Sequence, residues 1–102
     1  MSGVVISDQP GSDRYVIEIE GARAGFLTYK LAPEKISFMH AEVEPSMEGR
    51  GLGSRLVSYA LDDARRRGLA VLPFCPFVAS YIHAHREYLE LVPEAGRARF
   101  GL

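Results

Sequence analysis

Cysteine is almost absent from this chain. Cys75 stands alone among 102 residues, so no intramolecular disulfide can form and a reducing compartment suits the protein best. An excess of either charge is missing too. Twelve Lys and Arg against 13 Asp and Glu leave a net charge of −1, without the basic run that a nucleic-acid surface would show. No apolar window reaches the roughly 18 residues of a membrane helix. Met1-Ser2-Gly3-Val4-Val5-Ile6 has neither the basic start nor the long apolar stretch of a secretory leader. These absences lead to the expectation of a soluble, cytoplasmic chain with no nucleic-acid or membrane partner.

What is present describes a globular unit. At 47% hydrophobic and 25% charged, the composition excludes disorder and collagen-like structure. The length has room for one domain over 1–102, and no repeat or linker divides it. Val4-Val5-Ile6 reads as a short edge strand, and Asp8 to Asp13 as a turn, since Pro and Gly punctuate it. Alternation from Arg14 to Glu20 predicts a strand with Tyr15, Ile17 and Ile19 on one face. A turn near Gly21 then leads into a strand over Ala24 to Leu31, making a hairpin. A further strand over Ile36 to Val43 places Ile36, Phe38, His40 and Glu42 on one face.

The period changes after Pro45. Leu52, Leu56, Tyr59, Ala60 and Ala64 recur at helical spacing between Gly51 and Arg67. Arg65-Arg66-Arg67 reads as a solvated helix end suited to the dipole, and Gly68 as the stop. Leu69 to Phe74 has the continuous apolar character of a strand buried on both faces. A second helix is predicted from about Phe77 to Leu89, and 93–102 reads as a loose tail. The plan is α+β: an antiparallel meander, then a right-handed β-α-β crossover and a C-terminal helix.

Between meander and helix lies Glu48-Gly49-Arg50-Gly51-Leu52-Gly53-Ser54. Glycine lets the backbone approach a ligand closely, and the first N–H groups of a helix are unpaired donors that suit phosphate. Arg50 adds a charged donor. A P-loop would need a lysine before Ser54. The dinucleotide fingerprint Gly-x-Gly-x-x-Gly would put its third glycine at Ser54, and it opens a parallel sheet, which a meander is not. The acyl-CoA pattern Arg/Gln-x-x-Gly-x-Gly/Ala matches at Gly51 and Gly53. A plain turn that caps an ordinary helix is the remaining alternative.

Taken with its surroundings, the segment from about Arg14 to Val92 resembles the GNAT superfamily of N-acetyltransferases. His40-Ala41-Glu42-Val43 and Cys75-Pro76-Phe77-Val78-Ala79-Ser80-Tyr81-Ile82 are similar to a small GNAT-like subgroup. The resemblance implies a truncated GNAT fold that binds acetyl-CoA or coenzyme A, with Val43 and Glu48 to Ser54 at the cofactor. Two departures stand out. Glu48 occupies a position that is usually Arg or Gln, which weakens the pyrophosphate site. The two helices that usually follow the first strand and help shape the acceptor pocket are replaced by the turn near Gly21.

For the chemistry, the resemblance implies a backbone donor to the thioester carbonyl at Val43, a base at Glu42 and an acid at Tyr81 toward the CoA sulfur. His40 lies two residues before Glu42 and can share its proton or orient it. Cys75, at the end of the buried strand, is either an acyl acceptor or an inert buried thiol. His83 and His85 sit two apart on a helix and face different ways, against a shared metal. Three functions remain open on the sequence: acetyl transfer to an amine of a small molecule or protein, CoA or acyl-CoA binding without turnover, and acyl transfer through Cys75.

Overall fold

The strands follow from alternation. In β2 (Arg14–Ile19) Tyr15 and Ile17 are buried, and in β3 (Ala22–Leu31) Leu27 and Tyr29 continue the same layer. With β1 (Val4–Gln9), β4 (Lys35–Val43) and β5 (Ala70–Pro73), these form a five-stranded sheet in the order β1-β2-β3-β4-β5. The computed structural model describes residues 3–102. Met1 and Ser2, read above as the start of a leader-free N-terminus, lie outside the described residues. The first four strands pair antiparallel and β5 joins β4 in parallel, as the crossover predicts. Glu20 and Gly21, at φ of 50° and 84°, make the two-residue turn between β2 and β3, the left-handed geometry a tight hairpin prefers.

Helix α1 (Leu52–Arg66) supplies that crossover. Its fully buried Val57, Ala60, Leu61 and Ala64 join one cluster with Tyr15, Ile17, Leu27, Ile36 and Phe38. Burying each of the larger side chains contributes roughly 1.5–3 kcal/mol. The helix stops as expected. Gly68 adopts φ 69°, its N–H bonds back to Arg65 and that of Leu69 to Ala64, so the last carbonyls are satisfied. Helix α2 (Pro76–Ala84) adds Val78 and Ile82 to the same cluster.

Five expectations need correction. The register between β3 and β4 passes from Thr28–His40 to Tyr29–Phe38, which leaves Met39 as the extra residue of a bulge. A bulge shifts the alternation by one. His40 and Glu42 therefore do not share the face of Ile36 and Phe38; Ala41 and Val43 pack toward the core and the other two are exposed. Strand β5 is not buried on both faces, since it closes one edge of the sheet and its Ala70 and Leu72 stay half-exposed. Helix α2 ends at Ala84, short of Leu89. His85 takes φ −128° and ψ 77°, and a 3₁₀ segment (Arg86–Leu91) follows. Contacts to α1 draw that segment off the helical path: Tyr88 Oη donates to Asp62 at 2.7 Å, and Arg65 Nη2 to the Glu87 carbonyl at 2.7 Å.

The stretch read as a loose tail folds into 3₁₀ turns at Glu94–Gly96 and Ala98–Phe100. Phe100 meets Phe74 edge-on at 5.1 Å, and both Phe100 and Leu102 rest against the core. Finally, the first strand is β1, so the short link after it is the 3₁₀ turn Pro10–Ser12 and not the turn at Gly21.

Candidate functional site

Strand β5 accompanies β4 only as far as Phe38. There the Cys75 N–H donates to the Phe38 carbonyl at 2.8 Å, and the chain leaves the sheet to start α2, with Pro76 in its first turn. Pro fits that position because it has no N–H to satisfy there. Among the described residues, no strand lies beside the remaining length of β4, from Met39 to Val43, on that edge. A cleft of about 390 Å³ opens here, bounded by Val43, Met47, Gly51, Gly53, Ser54 and Phe77.

The glycine segment shapes its rim. Gly49 and Gly51 take φ of 87° and 72°, a region that costs other residues roughly 1–2 kcal/mol. Gly51 is the N-cap of α1, and no side chain caps this end or places an acid in its first turn. The leading N–H groups of α1 have no partner within the helix and carry its positive pole toward the cleft. A Cβ on Gly53 would come within 3.0 Å of the Phe77 ring, so glycine there lets α1 and α2 close around the cleft. The residues present fit a pyrophosphate: paired glycines, open N–H groups and no helix-capping acid. Glu48 also borders the cleft, and its carboxylate opposes an anion.

The predicted site residues separate into two groups. Val43, Glu48, Gly49, Gly51, Leu52, Gly53 and Ser54 all border the cleft, as does Glu42; Arg50 is exposed beside it in the glycine segment. His40 Nε2 and Glu42 Oε2 lie 2.7 Å apart, with both side chains about 60% exposed. Those two are brought together. Cys75 is only 2% exposed and does not border the cleft. Tyr81 stands one helical turn beyond Phe77, with its ring stacked on His85 at 4.0 Å and 6.1 Å from Tyr88. His83 is exposed, and His85 Nδ1 lies 2.9 Å from the Tyr81 carbonyl.

At the far end of α1 the arginines are not simply solvated. Asp63 is 7% exposed and receives Tyr15 Oη at 2.5 Å, Arg67 Nη1 at 3.2 Å and Arg66 Nη2. Arg67 also reaches Asp8 at 3.5 Å, and Tyr29 Oη donates to Asp8 at 2.6 Å. Arg65 pairs with Glu90 at 2.9 Å. Burial, then the Asp8 charge, pushes the Tyr15 phenol up to about 12, and burial with the bond to Asp8 raises Tyr29. Sequence reading passed over this network. Its signal was there: Asp63 lies three residues after Ala60 and one before Ala64, on the apolar stripe.

Residues 14–91 match the model of a family described as GCN5-related N-acetyl-transferase. No curated protein matches the chain. Among solved structures, the ribosomal-protein-S18-alanine N-acetyltransferase of Escherichia coli superposes with a TM-score of 0.55 at 22% identity, over 57% of this chain and 38% of that one. A ribosomal-protein-alanine N-acetyltransferase of Brucella melitensis biovar Abortus 2308 gives 0.57 at 18% identity, over 78% and 60%. Nourseothricin acetyltransferase gives 0.52 at 20% identity, over 85% and 67%. At such identities the likeness is one of fold, and the chain spans 38% and 60% of the length of the first two.

Proposed function

This chain belongs to the GCN5-related N-acetyltransferase family, and from that premise we propose that it transfers an acetyl group from acetyl-CoA to an amine. The observation that carries the reading is the glycine turn from Glu48 to Gly53, which aims the uncapped start of α1 into a cleft at the unpaired end of β4. The pyrophosphate of acetyl-CoA is held by the N–H groups of Gly51 to Ser54, with Arg50 beside them. The pantetheine arm lies along the β4 edge and presents the thioester near Val43, whose N–H polarises the carbonyl.

Glu42 takes a proton from the acceptor ammonium, and His40, 2.7 Å away, holds the carboxylate in position. The free amine attacks the thioester carbon, the C–N bond forms, the nitrogen gives up its second proton to water, and the C–S bond breaks as the carbonyl re-forms. The thiolate leaves with CoA and gains its proton from Tyr81, after the phenol turns from its stack on His85, or from water. Direct transfer is preferred to an acyl-enzyme because Glu42 borders the cleft with an exposed side chain, whereas Cys75 is 2% exposed. The two segments around His40 and Cys75 support membership of the short GNAT-like subgroup, and the lone cysteine supports a reducing compartment.

Release of CoA thiol from acetyl-CoA in the presence of an amine tests this reading. Wild type is expected to turn over and Cys75→Ala to keep most of its rate. Glu42→Gln is expected to lose about 10²-fold or more in kcat, the usual worth of a positioned base. A fully active Glu42→Gln variant, or an inactive Cys75→Ala variant that still folds, contradicts the assignment.

A further inference from the structure

We propose that the hollow between the start of β3 and the end of β4 is the acceptor subsite, and that it takes a single unbranched aliphatic ammonium ion. The inference rests on the acetyl-transfer reading above. The hollow measures about 190 Å³ and is lined by Arg23, Gly25 and Phe26 of β3 and by the run from Glu42 to Pro45. Glu42 and Val43 belong to both this hollow and the donor cleft. Two ligands held on either side of the same dipeptide meet where a base and a backbone donor already stand, which is the arrangement a two-substrate transfer requires.

Charge and size define the occupant. Glu42 and Glu44 both face the hollow with exposed side chains and together favour a cation, which a carboxylate holds in a charge-assisted hydrogen bond. Phe26 forms an apolar wall. The Arg14 guanidinium sits over the ring, 4.7 Å from its centroid, and does not itself line the hollow, so the rest of the ring borders a methylene chain while the carboxylates hold the charge. Arg23 is exposed and repels a second positive charge, which favours a monoamine over a diamine. At about 190 Å³ the space is below the roughly 300 Å³ at which drug-sized ligands begin. An alkyl chain fits this space, and a cage as bulky as adamantane is disfavoured. Phe26 and Glu42 pair across β3 and β4 and lie outside the buried cluster that α1 joins, so access comes from the sheet face opposite α1.

Nuclear magnetic resonance on the ¹⁵N-labelled full chain tests this without any transfer chemistry. The probe is n-pentylamine at neutral pH, with n-pentanol and 1-adamantylamine as controls, each with and without CoA. Saturable shifts of the Gly25, Phe26, Glu42 and Glu44 amides are expected with n-pentylamine alone. The controls should bind at least about tenfold more weakly, or about 1.4 kcal/mol, and Glu44→Lys should weaken n-pentylamine by a similar factor while remaining folded. Absence of these shifts, equal shifts with n-pentanol, shifts centred elsewhere, or undiminished binding in Glu44→Lys overturns the proposal. A chain that binds CoA but shows no such shifts keeps the donor reading and loses this one. A chain that shows them but fails to bind CoA loses the function proposed above while the amine site stands.

Discussion

Glu48 is the residue whose effect is easiest to isolate. It borders the cleft in a segment where every other feature favours an anion, and its side chain is exposed, so replacing it leaves the fold alone. Glu48→Arg is expected to bind CoA several-fold more tightly than wild type in a calorimetric titration. Unchanged or weaker binding would place the phosphates elsewhere. Tyr15 sets a second expectation, in stability. Burial pushes its phenol up from the usual value of about 10 to about 12 in the fold. Between those values the folded chain holds a proton that the unfolded chain has lost, so stability falls as pH rises through this window. Tyr15→Phe should flatten part of that fall, by on the order of 2 kcal/mol; urea titrations at pH 9 and pH 11.5 would measure it. Residues were legible where a motif named them, as Gly51 and Gly53 were. Asp63 was legible only as a carboxylate out of place on an apolar stripe, because its main partner, Tyr15, arrives from a distant part of the chain.

Among the elements, α1 was the most readable: its glycine stop and its N-terminal turn appear in the sequence as they appear in space, and so does its stripe apart from Tyr59, which is 41% exposed, and Asp63, which is buried. Gly68→Ala tests the stop, since φ of 69° burdens alanine by about 1 kcal/mol, readable as a lower urea midpoint with an unchanged slope. The elements that misled did so for physical reasons. One extra residue at Met39 moved His40 and Glu42 to the other face of β4, and alternation alone cannot reveal a bulge. Helix α2 was drawn too long because Tyr88 and Glu87 are claimed by partners on α1, a tertiary demand that local propensity does not carry. An apolar run suggested a central strand at β5, yet β5 lies at an edge, where Pro73 is tolerated.

Across the whole molecule, one buried cluster runs from β2 through α1 to Val92, with Phe100 and Leu102 packed against it. The α+β plan, a meander followed by a parallel crossover, was legible from pattern, while the folding of 94–102 was not, because 3₁₀ turns have no apolar period to read. Removing residues 94–102 should therefore lower thermal stability, a result unlike that for a detached tail. Phe38→Ala, which empties a fully buried ring position, should cost about 3–5 kcal/mol. The central claim is that the glycine turn and the start of α1 hold acetyl-CoA, and calorimetric titration of wild type and Gly51→Glu with CoA and acetyl-CoA tests it most directly. Micromolar binding by wild type, about −8 kcal/mol, together with loss of binding in a folded Gly51→Glu variant, is the predicted result. Failure of wild type to bind either ligand, or equal binding by both proteins, would contradict it.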